Sequence, residues 1–250
     1  MKHPLKLYRL PVAVVLFGLA CLAFRFGLYA VALDEKNLLR SHPLAYLLWA
    51  AAALGAALIV ATVWKLEGSA RYEDNFAASP AAAFGSFLLA GGIGLTVFTG
   101  EAPMSGLPGQ AWLVLGLLSL PMLVWAGLCR LRGKAPFFLT HGAPSLFLLL
   151  HIINRYQSWC ANPQLNDYVF DLFALMTLAF FLYYTAAFAA NCGNRRMQLG
   201  FGLLALLFGI GALSGGEAPF LYLGGIAFAL TNLCFLLPRP KEEETDYDPS

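Results

Sequence analysis

Charged side chains inside or beside strongly apolar segments are the residues of this chain best suited to chemistry. Arg25 and Arg155 each follow a Leu-Phe pair by eight residues, and Glu101 and Glu217 each lie in a Gly-Glu-Ala-Pro tetrapeptide. A charge at the centre of a bilayer costs about 2.5 to 3.5 kcal/mol on insertion scales, so it needs a compensating partner. Arginines of this kind could bind an anionic headgroup or solute, and the carboxylates could act as acids or bases.

The second half of the chain adds polar side chains at helical spacing. His151, Asn154 and Arg155 share one face of a predicted helix, and Asp167 and Asp171 share a face of the next. Because a short loop joins these helices, we expect the two faces to meet and Asp171 to neutralise Arg155. The predicted ligand-binding layer consists of Arg25, Glu101, His151, Asn154, Arg155, Asp167, Asp171 and Glu217.

Three interpretations of this layer stay open. In the first, the arginines reach the outer membrane interface, the aspartates pair with them, and the glutamates end helices in headgroup water. In the second, the layer is a polar site, open to the outside, that holds an anionic lipid headgroup or solute. In the third, the protein is a membrane enzyme acting at the outer headgroups, with Asp167, Asp171 or Glu217 as acid or base and His151 as partner.

The motifs of common catalytic mechanisms are absent. The sequence contains no Gly-x-x-x-x-Gly-Lys-Ser/Thr, His-Glu-x-x-His, Gly-x-Ser-x-Gly or Cys-x-x-Cys-His. His141 and Ser145 lie four residues apart, and we interpret them as a polar contact beside Pro144 rather than as base and nucleophile. We therefore assign no catalytic residue, no metal ligand and no cofactor. The basic residues are dispersed, so nucleic-acid binding is not expected.

The elements that must position these residues are membrane-spanning helices. Of the 250 residues, 59% are apolar and 12% are charged, which is far from the composition of soluble domains. A helix needs about 20 apolar residues to cross the hydrocarbon core of a bilayer. Eight segments meet this requirement, with approximate bounds 10–33, 44–64, 81–99, 111–129, 136–154, 168–190, 197–213 and 219–237.

The basic residues predict how the spans are oriented. Cytoplasmic loops of membrane proteins carry an excess of lysine and arginine. With the amino terminus inside, twelve basic residues fall in cytoplasmic segments and three, Lys36, Arg40 and Arg155, fall outside. We therefore expect both termini in the cytoplasm and the protein in a bacterial cytoplasmic membrane.

Two sequence features recur along the chain and predict an internal repeat. Gly-Glu-Ala-Pro occurs at 100–103 and at 216–219, and a Gly-Ile-Gly step precedes each copy, at 92–94 and at 209–211. Two tandem halves, about 8–134 and 135–238, would then run parallel, with four helices each. The prediction is an all-α, polytopic membrane helix bundle: one transmembrane domain over 1–238, followed by a disordered acidic tail over 239–250.

Local patterns predict helix starts and helix contacts. Ser79-Pro80 is typical of a helix N-cap followed by proline at the first helical position. Small residues at four-residue spacing, which let helices approach closely, occur in two spans, at 53, 57 and 61 and at 86, 90 and 94.

The polar content of the spans favours a non-enzymatic role. A transporter would need polar residues that continue toward the cytoplasm, and the main candidates are few: Thr62, Thr177, Thr185 and Asn232. We therefore expect a lipid-interacting, assembly or transporter-like role, with less weight on transport. The expected partners are membrane lipids, including an anionic lipid or solute at the layer, and the enzyme stays as the alternative.

Overall fold

The computed structural model of this protein describes residues 4–32, 42–64, 66, 69–99, 107–159, 168–215 and 218–233. In this part the chain forms helices and no strand. A 3₁₀ turn, Leu213–Gly215, follows the eighth helix. The helices are α1 (Pro4–Val31), α2 (Pro43–Val63), α3 (Tyr72–Asn75), α4 (Pro80–Thr99), α5 (Leu107–Leu131), α6 (Leu139–Trp159), α7 (Val169–Ala189), α8 (Arg195–Ala212) and α9 (Pro219–Leu233).

The length and composition of these helices make the protein a helical membrane bundle. Six of the described helices, α1, α2, α4, α5, α7 and α8, are long and apolar enough to cross a membrane. The other two segments predicted as spans are also helical, as α6 and α9. However, α6 carries His141, His151, Asn154 and Arg155, and the described part of α9 has only 15 residues.

The helices from α4 to α9 form a closed ring in chain order. Each packs against the next, and α9 packs against α4. Rings from α6, α7 and α9 meet inside, where the centroids of Phe181 and Phe228 are 5.4 Å apart and those of His141 and Phe228 are 5.9 Å apart. The hairpin of α1 and α2 lies outside this ring, against α8. Aromatic packing therefore occupies part of the ring interior.

This packing gives the predicted tandem repeat no support. In the second half α7 packs against α8, whereas the corresponding helices of the first half, α2 and α4, make no comparable contact in the described chain. The two predicted halves, about 8–134 and 135–238, also differ in how their first two helices lie relative to the ring. The first half begins with a hairpin outside the ring, and the second begins with two helices of the ring itself.

Glycines bring α4 and α9 into backbone contact. A Cβ atom on Gly92 would lie 2.6 Å from the carbonyl oxygen of Phe220, and one on Gly224 would lie 2.7 Å from that of Leu88. Any larger residue at either position would therefore force the helices apart. The small-residue face of α4, at 86, 90 and 94, is buried as expected. The corresponding face of α2, at 53, 57 and 61, is exposed in the described chain.

The connection from α2 to α4 folds onto the end of the bundle where α5 ends and α8 begins, here called the Arg130 end. Tyr72 and Phe76 are buried, and Arg130 Nη1 donates to the Ala77 carbonyl over 2.9 Å. Burial raises the pKa of the Tyr72 hydroxyl above its usual value. The Ser79 hydroxyl accepts a hydrogen bond from the third residue of α4, Ala82, over 3.1 Å. The predicted N-cap is therefore confirmed.

Candidate functional site

A buried ion pair joins Arg25 on α1 to Asp171 on α7. Arg25 Nη2 donates to Asp171 Oδ2 over 2.9 Å, and the two side chains are only 5% and 2% exposed. The Tyr222 hydroxyl on α9 donates to Asp171 Oδ1 over 2.8 Å. Arg25 Nη1 donates to the Gly211 carbonyl near the end of α8 over 3.1 Å. Four helices are thus tied together at one end of the bundle, here called the Asp171 end.

Aromatic rings and glycines enclose this pair. The Arg25 guanidinium carbon lies 5.5 Å from the centroid of Phe170 and 5.8 Å from that of Tyr29. A Cβ atom on Gly211 would lie 2.8 Å from Phe170 Cδ1, and one on Gly215 would lie 3.0 Å from Asp171 Oδ1. These glycines leave room for the ring and the carboxylate. A buried pair persists only where such bonds offset the loss of hydration.

The prediction that Asp171 neutralises Arg155 is wrong. Both carboxylate oxygens of Asp171 have partners, and these are Arg25 and Tyr222. The prediction assumed that Asp171 lies on the side of α7 that meets α6. Asp171 instead lies on the side that meets α1 and α9, so its counter-ion comes from a helix 146 residues earlier in the chain.

The predicted polar face of α6 forms a separate cluster, against α5. His151 Nδ1 accepts a hydrogen bond from Trp112 Nε1 over 3.2 Å, and its ring stacks on Phe147. Asn154 is buried, and its Nδ2 has no hydrogen-bond partner in the described chain. Arg155 is half-buried. Glu101, Asp167 and Glu217 lie outside the described residues, and the contacts of the other members lie around Asp171 and around His151.

These contacts do not assemble an acid–base pair from the described residues. Asp171 and His151 have different partners on different helices. The Ser145 hydroxyl donates to the Ala179 carbonyl over 2.9 Å, and His141 Nδ1 lies 3.1 Å from the Thr140 hydroxyl oxygen. Thus Ser145 and His141 are occupied by separate contacts. The described residues also hold no group of three metal-ligating side chains.

Polar side chains inside the ring bond mainly to backbone. Thr96, Ser119 and Thr177 each donate to the carbonyl four residues earlier in the same helix. Thr185 and Asn232 bond to their own helices in the same way. Such bonds use the hydroxyl protons within single helices, and a bond between helices runs from Gln198 Nε2 on α8 to the Thr185 hydroxyl on α7 over 3.2 Å.

A lateral groove lies between α2 and α8 at the Arg130 end. Its volume is about 330 Å³. Its walls are mostly apolar, and its polar or amphipathic residues stand where α2 ends and α8 begins. The lining residues are Ile59, Val60, Val63, Trp64, Asn194, Arg196, Met197, Gly200, Phe201 and Leu204.

Sequence reasoning missed the contacts that define both clusters. Tyr222 and Trp112 lie in spans as ordinary aromatic residues, and nothing in their spacing links them to Asp171 or His151. Gly211 lies in the recurring Gly-Ile-Gly step, but the sequence does not predict that its carbonyl accepts a hydrogen bond from Arg25.

Comparison of the chain with protein-family models, with curated proteins and with solved structures gave no match.

Proposed function

We propose that this protein is a non-enzymatic multipass membrane protein that acts through membrane lipids, in a lipid-interacting or assembly role. The main support is that five buried hydroxyl and amide side chains of the ring helices bond to carbonyls of their own helices. A solute route needs donors and acceptors that stay open to the solute. The Arg25–Asp171 pair also neutralises two charges that a transported ion could have used.

Cysteine accessibility tests the closed interior. In a chain without its native cysteines, Ser119→Cys and Thr177→Cys place single thiols on buried positions of α5 and α7. Both should resist a small hydrophilic maleimide in membranes, whereas a chain that keeps only Cys192, which is exposed, should react. Reaction at Ser119→Cys or Thr177→Cys at the rate of Cys192 would indicate a water-filled route and contradict the proposal.

The proposed topology has eight spans, with both termini in the cytoplasm of a bacterial cell. It adds α6 and α9 to the six long apolar helices, because α6 has 21 residues and α9 is apolar from its start. Membrane-impermeant thiol reagents on intact cells should label Cys160 and spare Cys192. The opposite labelling would show that the orientation in the membrane is reversed.

We also propose that the chain contains a tandem repeat. Its support is the recurrence of the sequence motifs at 92–103 and 209–219.

The remaining members of the charged layer carry a second proposal, that α6 holds an anionic headgroup or solute at Arg155. Its support is the buried Asn154 amide, whose Nδ2 has no partner in the described chain. An anion co-purifying with the protein should be lost in Arg155→Ala and kept in Arg132→Ala, where an exposed arginine is removed. Equal retention in both variants would contradict this proposal.

A further inference from the structure

The groove between α2 and α8 is long enough to hold part of an alkyl chain. Its lining runs from Arg196 to Leu204 along α8, which is about 12 Å at a rise of about 1.5 Å per residue. Its volume is about 330 Å³.

The walls of the groove are suited to an apolar occupant that enters from the side. Ile59 and Val63 are buried in α2, while Val60 between them is 53% exposed. Gly200 contributes no side chain, and a Cβ atom there would meet Val63 Cγ1 at 3.8 Å. The missing side chain at Gly200 helps to keep the groove open.

The mouth of the groove lies at the ends of both helices. Trp64, 72% exposed, caps the end of α2, and Arg196 is the second residue of α8. Arg196 Nε donates to the Leu66 carbonyl, which positions the guanidinium at the mouth. Tryptophan and arginine at the end of membrane helices are typical of the headgroup region.

The charge of the described lining is basic. Arg196 is the one charged side chain among the described residues that line the groove. A hydrogen bond of 3.1 Å from Gly193 N to the Ala70 carbonyl holds the neighbouring connection, with the exposed Arg71, beside the start of α8. The carboxylates of Glu73 and Asp74 follow in α3. A guanidinium presents its donors in a fork that matches the phosphate of a lipid headgroup.

We infer that the groove between α2 and α8 is a binding site for an anionic phospholipid. One acyl chain lies along α8 toward Leu204, and the phosphate contacts Arg196. This site deepens the proposed lipid-interacting function and depends on it, because it names the lipid class and the place where it binds.

Native mass spectrometry of the full-length protein tests the site. Protein in mild detergent receives equal amounts of a phosphatidylglycerol and a phosphatidylcholine with the same acyl chains. We expect a phosphatidylglycerol adduct on the unaltered chain, at least tenfold weaker in Gly200→Leu because leucine fills the groove. Gly91→Leu is the matched control, since a side chain at Gly91 meets open space, and it should keep the adduct.

Two further variants separate the acyl chain from the headgroup. Val60→Trp fills the same groove from an exposed position. If Gly200→Leu does not fold, Val60→Trp therefore tests whether the groove binds the acyl chain. Arg196→Gln should bind both lipids equally, because the groove remains and the guanidinium is gone. Wild-type adduct levels in Val60→Trp and in a folded Gly200→Leu would overturn the site. Equal binding of both lipids to the unaltered chain would overturn the choice of an anionic headgroup.

These outcomes also separate the site from the proposed function. If lipid adducts persist unchanged in every groove variant, the groove is not the site, although the protein still interacts with lipid. If the unaltered chain binds neither lipid and a hydrophilic maleimide reacts at Ser119→Cys or Thr177→Cys, the lipid-interacting function itself fails.

Discussion

Removing Asp171 should destabilise the protein far more than removing an exposed charge. Asp171→Ala removes the carboxylate that Arg25 Nη2 contacts, and the two side chains are only 5% and 2% exposed in the pair. Breaking a buried ion pair by removing one partner costs about 3 to 5 kcal/mol. For a chain of this size, about 2 to 4 °C per kcal/mol gives a melting temperature about 6 to 20 °C lower.

Thermal unfolding in detergent measures this effect, and a double-mutant cycle assigns it. Arg25→Ala should cost about as much as Asp171→Ala, and the double variant should cost little more than either, because the interaction is lost once. Arg132→Ala removes an exposed arginine and should change stability by less than about 0.5 kcal/mol. Tyr222→Phe keeps the ion pair and loses one hydrogen bond to a charged oxygen, worth about 1.5 to 3 kcal/mol.

The same cycle distinguishes the two candidate partners of Asp171. Asp171→Ala and Arg155→Ala should be additive within about 0.5 kcal/mol, because Asp171 does not contact Arg155. Strong coupling to Arg155 and additivity with Arg25 would refute the arrangement of α1 and α7 described above.

Other predictions concern the helix contacts and the Arg130 end. Gly224→Val should lower the melting temperature, by an overpacking cost of about 1 to 3 kcal/mol against the Leu88 carbonyl, whereas Gly91→Val should have no such cost. Ser79→Ala should cost about 1 kcal/mol through loss of the N-cap, measured in the same assay. Because burial raises the pKa of Tyr72, its neutral form stabilises the fold fully below pH about 10, and this contribution is lost as pH rises further. Melting temperatures between pH 8 and 12 should therefore fall less steeply in Tyr72→Phe, and identical slopes would contradict the burial of that hydroxyl.

Local sequence patterns were enough to place the helices. Each predicted span coincides with a helix because length and apolar content are properties of the segment itself. The N-cap at Ser79 was predictable for the same reason, since its acceptor and donor are three residues apart. A polar face on α6 was also predictable from the spacing of His151 and Asn154.

Contacts between distant helices could not be predicted in this way. The choice of Arg25 over Arg155 as the partner of Asp171 depends on which helices are neighbours in the ring and on how α7 is rotated. The apolar pattern of α7 is broad enough to allow several rotations, because lipid and protein interior are both apolar. The groove depends on the same packing, since it forms where α2 and α8 separate beside Gly200.

A cryo-electron microscopy structure in nanodiscs of an anionic phospholipid decides whether the groove between α2 and α8 holds a lipid. We predict elongated density along α8 between Leu204 and Arg196, with a phosphate beside the guanidinium, and side chains filling the ring of α4 to α9. An empty groove, together with a water-filled cavity that reaches Ser119 and Thr177, would contradict it.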